Sequence, residues 1–92
     1  MVNIGDELRQ RIVQLCEQKQ MSIYRLAKKS GVPQSTLNEI MQGRSRDPRL
    51  STIIQIAQGF DMSIQELFDD PIFESVENGT IEDAEKQAGS DV

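Results

Sequence analysis

Histidine and cysteine, the side chains that most often activate or act as nucleophiles, are almost absent from this sequence. Its 92 residues include no histidine and one cysteine, Cys16. Without histidine there is no imidazole acid or base, no Ser–His or Cys–His nucleophile pair and no His-containing metal site. Cys16 has no base, metal partner or second thiol to work with and reads as inert core filler. A single cysteine forms no internal disulfide, which fits a reducing cytoplasm. Neither an enzyme nor a cofactor is expected. The chemistry that remains is hydrogen bonding and charge. Gln34, Ser35, Asn38 and Glu39 fall within six residues. Gln and Asn amides pair bidentately with adenine, and a carboxylate accepts from cytosine N4 but is repelled by phosphate. Arg44, Arg46 and Arg49 cluster in a further six residues, a concentration that calls for an electrostatic partner.

Helices must position these groups. Ile4, Leu8, Ile12 and Leu15 recur on one helical face, with Asp6 and Glu7 in the first turn, predicting a first helix over about residues 5–19. Gln20–Met21 breaks the pattern. Ser22 is a good N-cap for a second helix striped by Ile23, Leu26 and Ala27, which Gly31 closes. Pro33 suits the first position of a third helix, which runs to about Met41 and stops at Gly43. A basic loop containing Pro48 follows. Leu50, Ile53, Ile54, Ile56, Ala57 and Phe60 mark a fourth helix, and Ser63 caps a short fifth through Leu67 and Phe68. No period-2 run appears, so the fold class is all-α: a compact five-helix body.

The net charge of −5 hides two different halves. Residues 1–68 hold nine Lys or Arg against seven Asp or Glu, a net +2, whereas residues 69–92 hold one Lys and eight acids, a net −7. One domain over residues 1–70 and an acidic tail over 71–92 are expected. Pro71 stops the fifth helix, and Ile72, Phe73 and Val76 are apolar enough to pack back as a last turn. Beyond Glu77 too few apolar residues remain to offset ordering entropy, so disorder is expected, with at most a transient helix at 81–87 behind Thr80. No apolar run approaches the ~18 residues of a membrane span, and Met1–Arg11 is a charged amphipathic start rather than a signal peptide.

Ile23–Gln42, IYRLAKKSGVPQSTLNEIMQ, is the informative stretch. Two helices are joined with almost no slack, Ala27 is small where the third helix crosses, Gly31 makes the turn, and Val32, Leu37 and Ile40 fill the angle. Those requirements define a helix-turn-helix. With RSRDPRLSTIIQIAQGF and the closing MSIQELF, residues 8–68 resemble the Cro and phage-repressor type of helix-turn-helix regulators, the xenobiotic-response-element family.

The resemblance implies double-stranded DNA as partner, with the third helix in the major groove. Gln34, Ser35, Asn38 and Glu39 are then the base-reading side chains, Glu39 the weakest of them. Arg44, Arg46 and Arg49 are placed along the phosphates, with Ser22, Tyr24 and Gln42 as neutral backbone contacts and Lys28 and Lys29 as lesser ones. Many relatives carry an ion pair where Cys16 and Met41 stand. Here both places are apolar, and the two residues are expected to touch. Asp61 replaces a frequent glycine and tolerates the left-handed conformation. A transcriptional regulator is implied, dimeric on an inverted repeat and weakly associated in solution, with its contact near Ile54, Phe60, Met62 and Phe68. Two alternatives are an antitoxin whose acidic tail holds a basic protein partner, and an interaction module that no longer binds DNA. Apart from a partner, the tail has two further readings: an intramolecular counterion for the arginines, or a solubilising appendage that does not touch the body.

Overall fold

The computed structural model describes residues 3–74 and 76. Among these residues five α-helices follow one another: α1 (Ile4–Lys19), α2 (Ile23–Ser30), α3 (Gln34–Met41), α4 (Leu50–Gly59) and α5 (Ile64–Phe68). A 3₁₀ turn at Pro71–Phe73 follows, and no strand occurs among the described residues. The acidic segment beyond it, with its expected disorder, transient helix and counterion role, lies outside the described residues.

Local chemistry explains most boundaries. Asn3 caps α1, its side chain accepting from the Gly5 and Asp6 amides, and α1 ends on Gln20 in the left-handed conformation at φ 52°. Ser22 caps α2 by accepting from Arg25 N at 3.0 Å. Ser63 and Glu66 form a reciprocal capping box on α5, which steadies a helix of only five residues. Pro33 is the N-cap of α3 at φ −55° and ψ 140°, one residue earlier than the helical position expected for it. Its extended ψ keeps it outside the helix, although its φ already suits one. Asp61 does take the left-handed conformation, at φ 59°.

One core joins the helices. Leu8, Ile12, Leu26, Leu37, Ile40, Ile56, Phe60 and Leu67 are wholly enclosed, each side chain of this kind contributing roughly 1.5–3 kcal/mol on burial. Cys16, Ala27, Met41, Met62 and Phe68 pack on its margin half-buried. Phe60 is at 0 % exposure, so it supports α4 from within and is not available to a second chain as expected. Ile54 remains exposed. α2 and α4 pack tightly at Gly59, where a Cβ would stand 2.8 Å from Ser30 Cβ and 3.0 Å from Leu26 Cδ1. Phe73 is buried and meets Phe68 edge to face, with centroids 4.6 Å apart, so the 3₁₀ turn packs back on the body.

Arg11 is buried among these apolar groups. Its Nε donates to Leu67 O at 2.7 Å and its Nη2 to Glu66 O at 2.9 Å, while Nη1 reaches Gln14 Oε1 at 2.6 Å and Asp70 Oδ2 at 3.3 Å. The guanidinium thereby caps the C-terminal end of the short helix α5, supplying a donor to Leu67 O and a second donor to Glu66 O beside the Asp69 amide at 3.3 Å.

Candidate nucleic-acid interface

The site begins with the turn between α2 and α3. Gly31 sits at φ 77°, with nothing within 4 Å of where its Cβ would be. Backbone conformation alone therefore explains the glycine, since an L side chain rarely adopts that φ. Ser30 Oγ accepts the Val32 amide at 3.1 Å, and Val32 is buried. With Leu37 and Ile40 locked in the core, the orientation of α3 is set. Its other side is free: Gln34, Ser35, Asn38, Glu39 and Gln42 are all exposed. The four residues expected to read bases thus share one outward face, and Gln42 continues it.

The basic loop is tied down rather than loose. Arg44 N and Ser45 N both donate to Glu39 O, at 2.9 and 3.3 Å, and Gly43 N donates to Ile40 O at 3.1 Å. On the far side Gly5 N donates to Arg46 O at 3.0 Å, docking the loop on the first turn of α1. Arg44, Arg46 and Arg49 are exposed at its surface. Asp47 is exposed among them and offsets part of their charge, a point the arginine count by itself overlooks.

The first turns of the helices add a second kind of donor. α1, α2 and α5 begin with side-chain caps, whereas α3 and α4 have none: Pro33 and Arg49 stand at their N-cap positions. Helix-start amides without a side-chain acceptor are suited to an anion, which the helix dipole also favours. These two helix starts flank the polar face and the arginine loop.

On α2 the expected backbone contacts diverge. Ser22 and Tyr24 are exposed, and Lys28 Nζ lies over the Tyr24 ring, 5.1 Å from its centroid. Lys29 instead pairs with Asp61 at 3.0 Å, which occupies it within the protein. The Lys29 hydrogen bond and charge hold the Asp61 carboxyl below the ordinary carboxylate range. Burial pushes the Cys16 thiol up, so this sulfur stays protonated near neutrality, as inert filler should. No cluster of His, Cys, Asp or Glu suited to a metal occurs among the described residues. None of their helices is long and apolar enough to cross a membrane.

Two structural residues went unseen in the sequence reading. Gly5 carried a signal, a glycine in the first turn of a helix, where it is a poor helix former. Arg11 also carried one, since at 100° per residue it falls at the edge of the Leu8–Ile12–Leu15 stripe.

Comparison with known proteins agrees with this geometry. No curated protein and no solved structure gave a significant match. Residues 11–71, from the middle of α1 through α5 to the start of the 3₁₀ turn, match the family model for the Cro/C1-type HTH DNA-binding domain. Together with the tight α2–α3 turn and the all-helical body around it, that match establishes that the chain belongs to the Cro/C1-type helix-turn-helix DNA-binding family.

Proposed function

We propose that this protein is a sequence-specific transcriptional regulator that binds double-stranded DNA as a homodimer on an inverted repeat. The outward polar face of α3, flanked by two helix starts without side-chain caps and by the arginine loop, carries this reading. Gln34, Ser35 and Asn38 are assigned to base edges, with Glu39 tolerated where a cytosine amine faces it. Arg44, Arg46, Arg49, Ser22, Tyr24 and Gln42 are assigned to phosphates. Specificity of this kind needs two half-sites, because one recognition helix reads only a few base pairs. Two-fold pairing sets the helices about 34 Å apart. Exposed Ile54, with half-buried Met62 and Phe68, is the assigned contact between copies.

Selection of bound duplexes from a random pool, followed by footprinting, tests the proposal. An inverted repeat is expected. Gln34→Ala and Asn38→Ala should each cost about 1–3 kcal/mol on the selected site and relax its sequence. Arg44→Ala and Arg49→Ala should weaken all duplexes alike and lower the salt slope by about one unit each. A selected pool without sequence preference, or loop variants that change the preferred sequence while α3 variants do not, would overturn the assignment.

A further inference from the structure

We infer that Gly5, in the first turn of α1, is a positioning residue for the arginine loop and so governs the phosphate-binding half of the interface. This rests on the phosphate reading of the loop proposed above.

Gly5 is buried, and its amide is shared between its own N-cap, Asn3 Oδ1 at 2.9 Å, and the loop carbonyl of Arg46 at 3.0 Å. A Cβ at residue 5 would overlap the Ser45 carbonyl oxygen. It would also lie 2.9 Å from the Ser45 carbonyl carbon and 3.1 Å from Arg46 Cα. All three are backbone atoms, so no side-chain rotation relieves the overlap. The backbone of Gly5 is not in the left-handed region; the position demands an absent side chain, not an unusual conformation. Alanine is the better helix former, so local propensity argues against the glycine and the close loop argues for it. Asp6, the next residue, brings its Oδ1 to 4.0 Å from where a Gly43 Cβ would be. The first turn of α1 thus lies along both ends of the Gly43–Arg46 segment.

The other face of that segment is anchored to α3 through Glu39 O. A side chain at residue 5 therefore pushes residues 45 and 46 outward about the α3 anchor and shifts the loop arginines relative to α3. Leu37 and Ile40 are unaffected in the core, so the base-reading face keeps its place. Substitution at Gly5 is expected to cost affinity without altering the sequence preferred.

The test uses the full chain, a 25-base-pair duplex of mixed sequence and a salt series read by fluorescence anisotropy. Gly5→Ala should weaken binding to this duplex at least about tenfold at low salt and make the salt slope shallower by one unit or more. The sequence it selects from a random pool should match that of the wild type. Asn3→Ala, which removes the cap but adds no atom at residue 5, should keep the wild-type slope. A wild-type slope in Gly5→Ala would overturn the positioning role. Unchanged slopes in both Arg44→Ala and Arg49→Ala would overturn the phosphate reading instead. Should Gly5→Ala fail to fold, amide exchange decides in its place. In Asn3→Ala the Gly5 amide should stay protected by the Arg46 carbonyl, and fast exchange there would overturn the docking.

Discussion

Replacing Arg11 tests whether one buried cation holds the C-terminal part of the domain to α1. Its side chain is 8 % exposed, and its guanidinium makes four hydrogen bonds, two of them to the carbonyls of Glu66 and Leu67 in α5. Arg11→Met keeps the aliphatic stem but removes every donor. The Leu67 carbonyl then faces the core margin without a partner, whereas the Glu66 carbonyl keeps the Asp69 amide at 3.3 Å. An unsatisfied buried acceptor costs roughly 1–3 kcal/mol, and a hydrogen bond from a charged donor is worth about 1.5–3. The ion pair with Asp70, at 3.3 Å, is largely enclosed, but Arg11 is the least of the groups that lower the Asp70 carboxyl, so its share is modest. A loss of about 2–4 kcal/mol is expected for Arg11→Met, and about one more for Arg11→Ala, which also forfeits stem packing. Domains of this kind have only about 5–15 kcal/mol in total, so the midpoint of urea unfolding followed by circular dichroism should fall visibly. The loss should concentrate in α5 and the 3₁₀ turn, where amide exchange should accelerate first. An Arg11→Met protein within about 0.5 kcal/mol of wild type would refute the account, because it would mean that water satisfies the Leu67 carbonyl.

Gly59→Ala should destabilise by about 1–3 kcal/mol despite its better helix propensity, since the new methyl meets Ser30 and Leu26; thermal unfolding reads this, and a raised melting temperature would contradict it. Cys16→Arg or Met41→Glu alone should cost about 1–3 kcal/mol, less than for a fully buried charge because both sites are only half-buried. The double variant should recover part of the loss, and strictly additive losses in the cycle would show that the two are not neighbours. Acid should weaken the fold. The carboxyls of Asp61, Glu66 and Asp70 are held low, Asp61 by Lys29, Glu66 by the Ser63 amide and hydroxyl, and Asp70 chiefly by the Ile72 amide. Groups with lowered values contribute stability above the ordinary carboxyl range and lose it as pH falls through the folded values. Unfolding midpoints should therefore be flat near neutrality and drop below about pH 4, and a midpoint that rises on acidification would contradict the assignment.

Most of the fold was legible because its signals are local. Ser22 and Ser63 cap from side chains within three residues, Gly31 answers a backbone angle, and the Leu8, Ile12 and Leu15 spacing is helical periodicity. The outward face of α3 was legible for the same reason. Once Leu37 and Ile40 are inside, 100° per residue puts Gln34, Ser35, Asn38 and Glu39 outside. What the chain alone did not reveal depends on residues far apart meeting in space. The edge of the apolar stripe places Arg11 beside the core, but only the fold brings the carbonyls of Glu66 and Leu67, more than fifty residues on, against it. Phe60 had the composition of a contact residue, and only enclosure by the other helices makes it core. Lys29 seemed available to a phosphate until the left-handed turn at Asp61 delivered a carboxylate to it. Nothing along the chain explains Gly5 in α1, where the backbone of Ser45 and Arg46 fills the space its missing side chain leaves. Propensity and capping are settled by neighbours along the chain, whereas burial and close approach depend on which distant segment arrives, and that only the assembled helices decide.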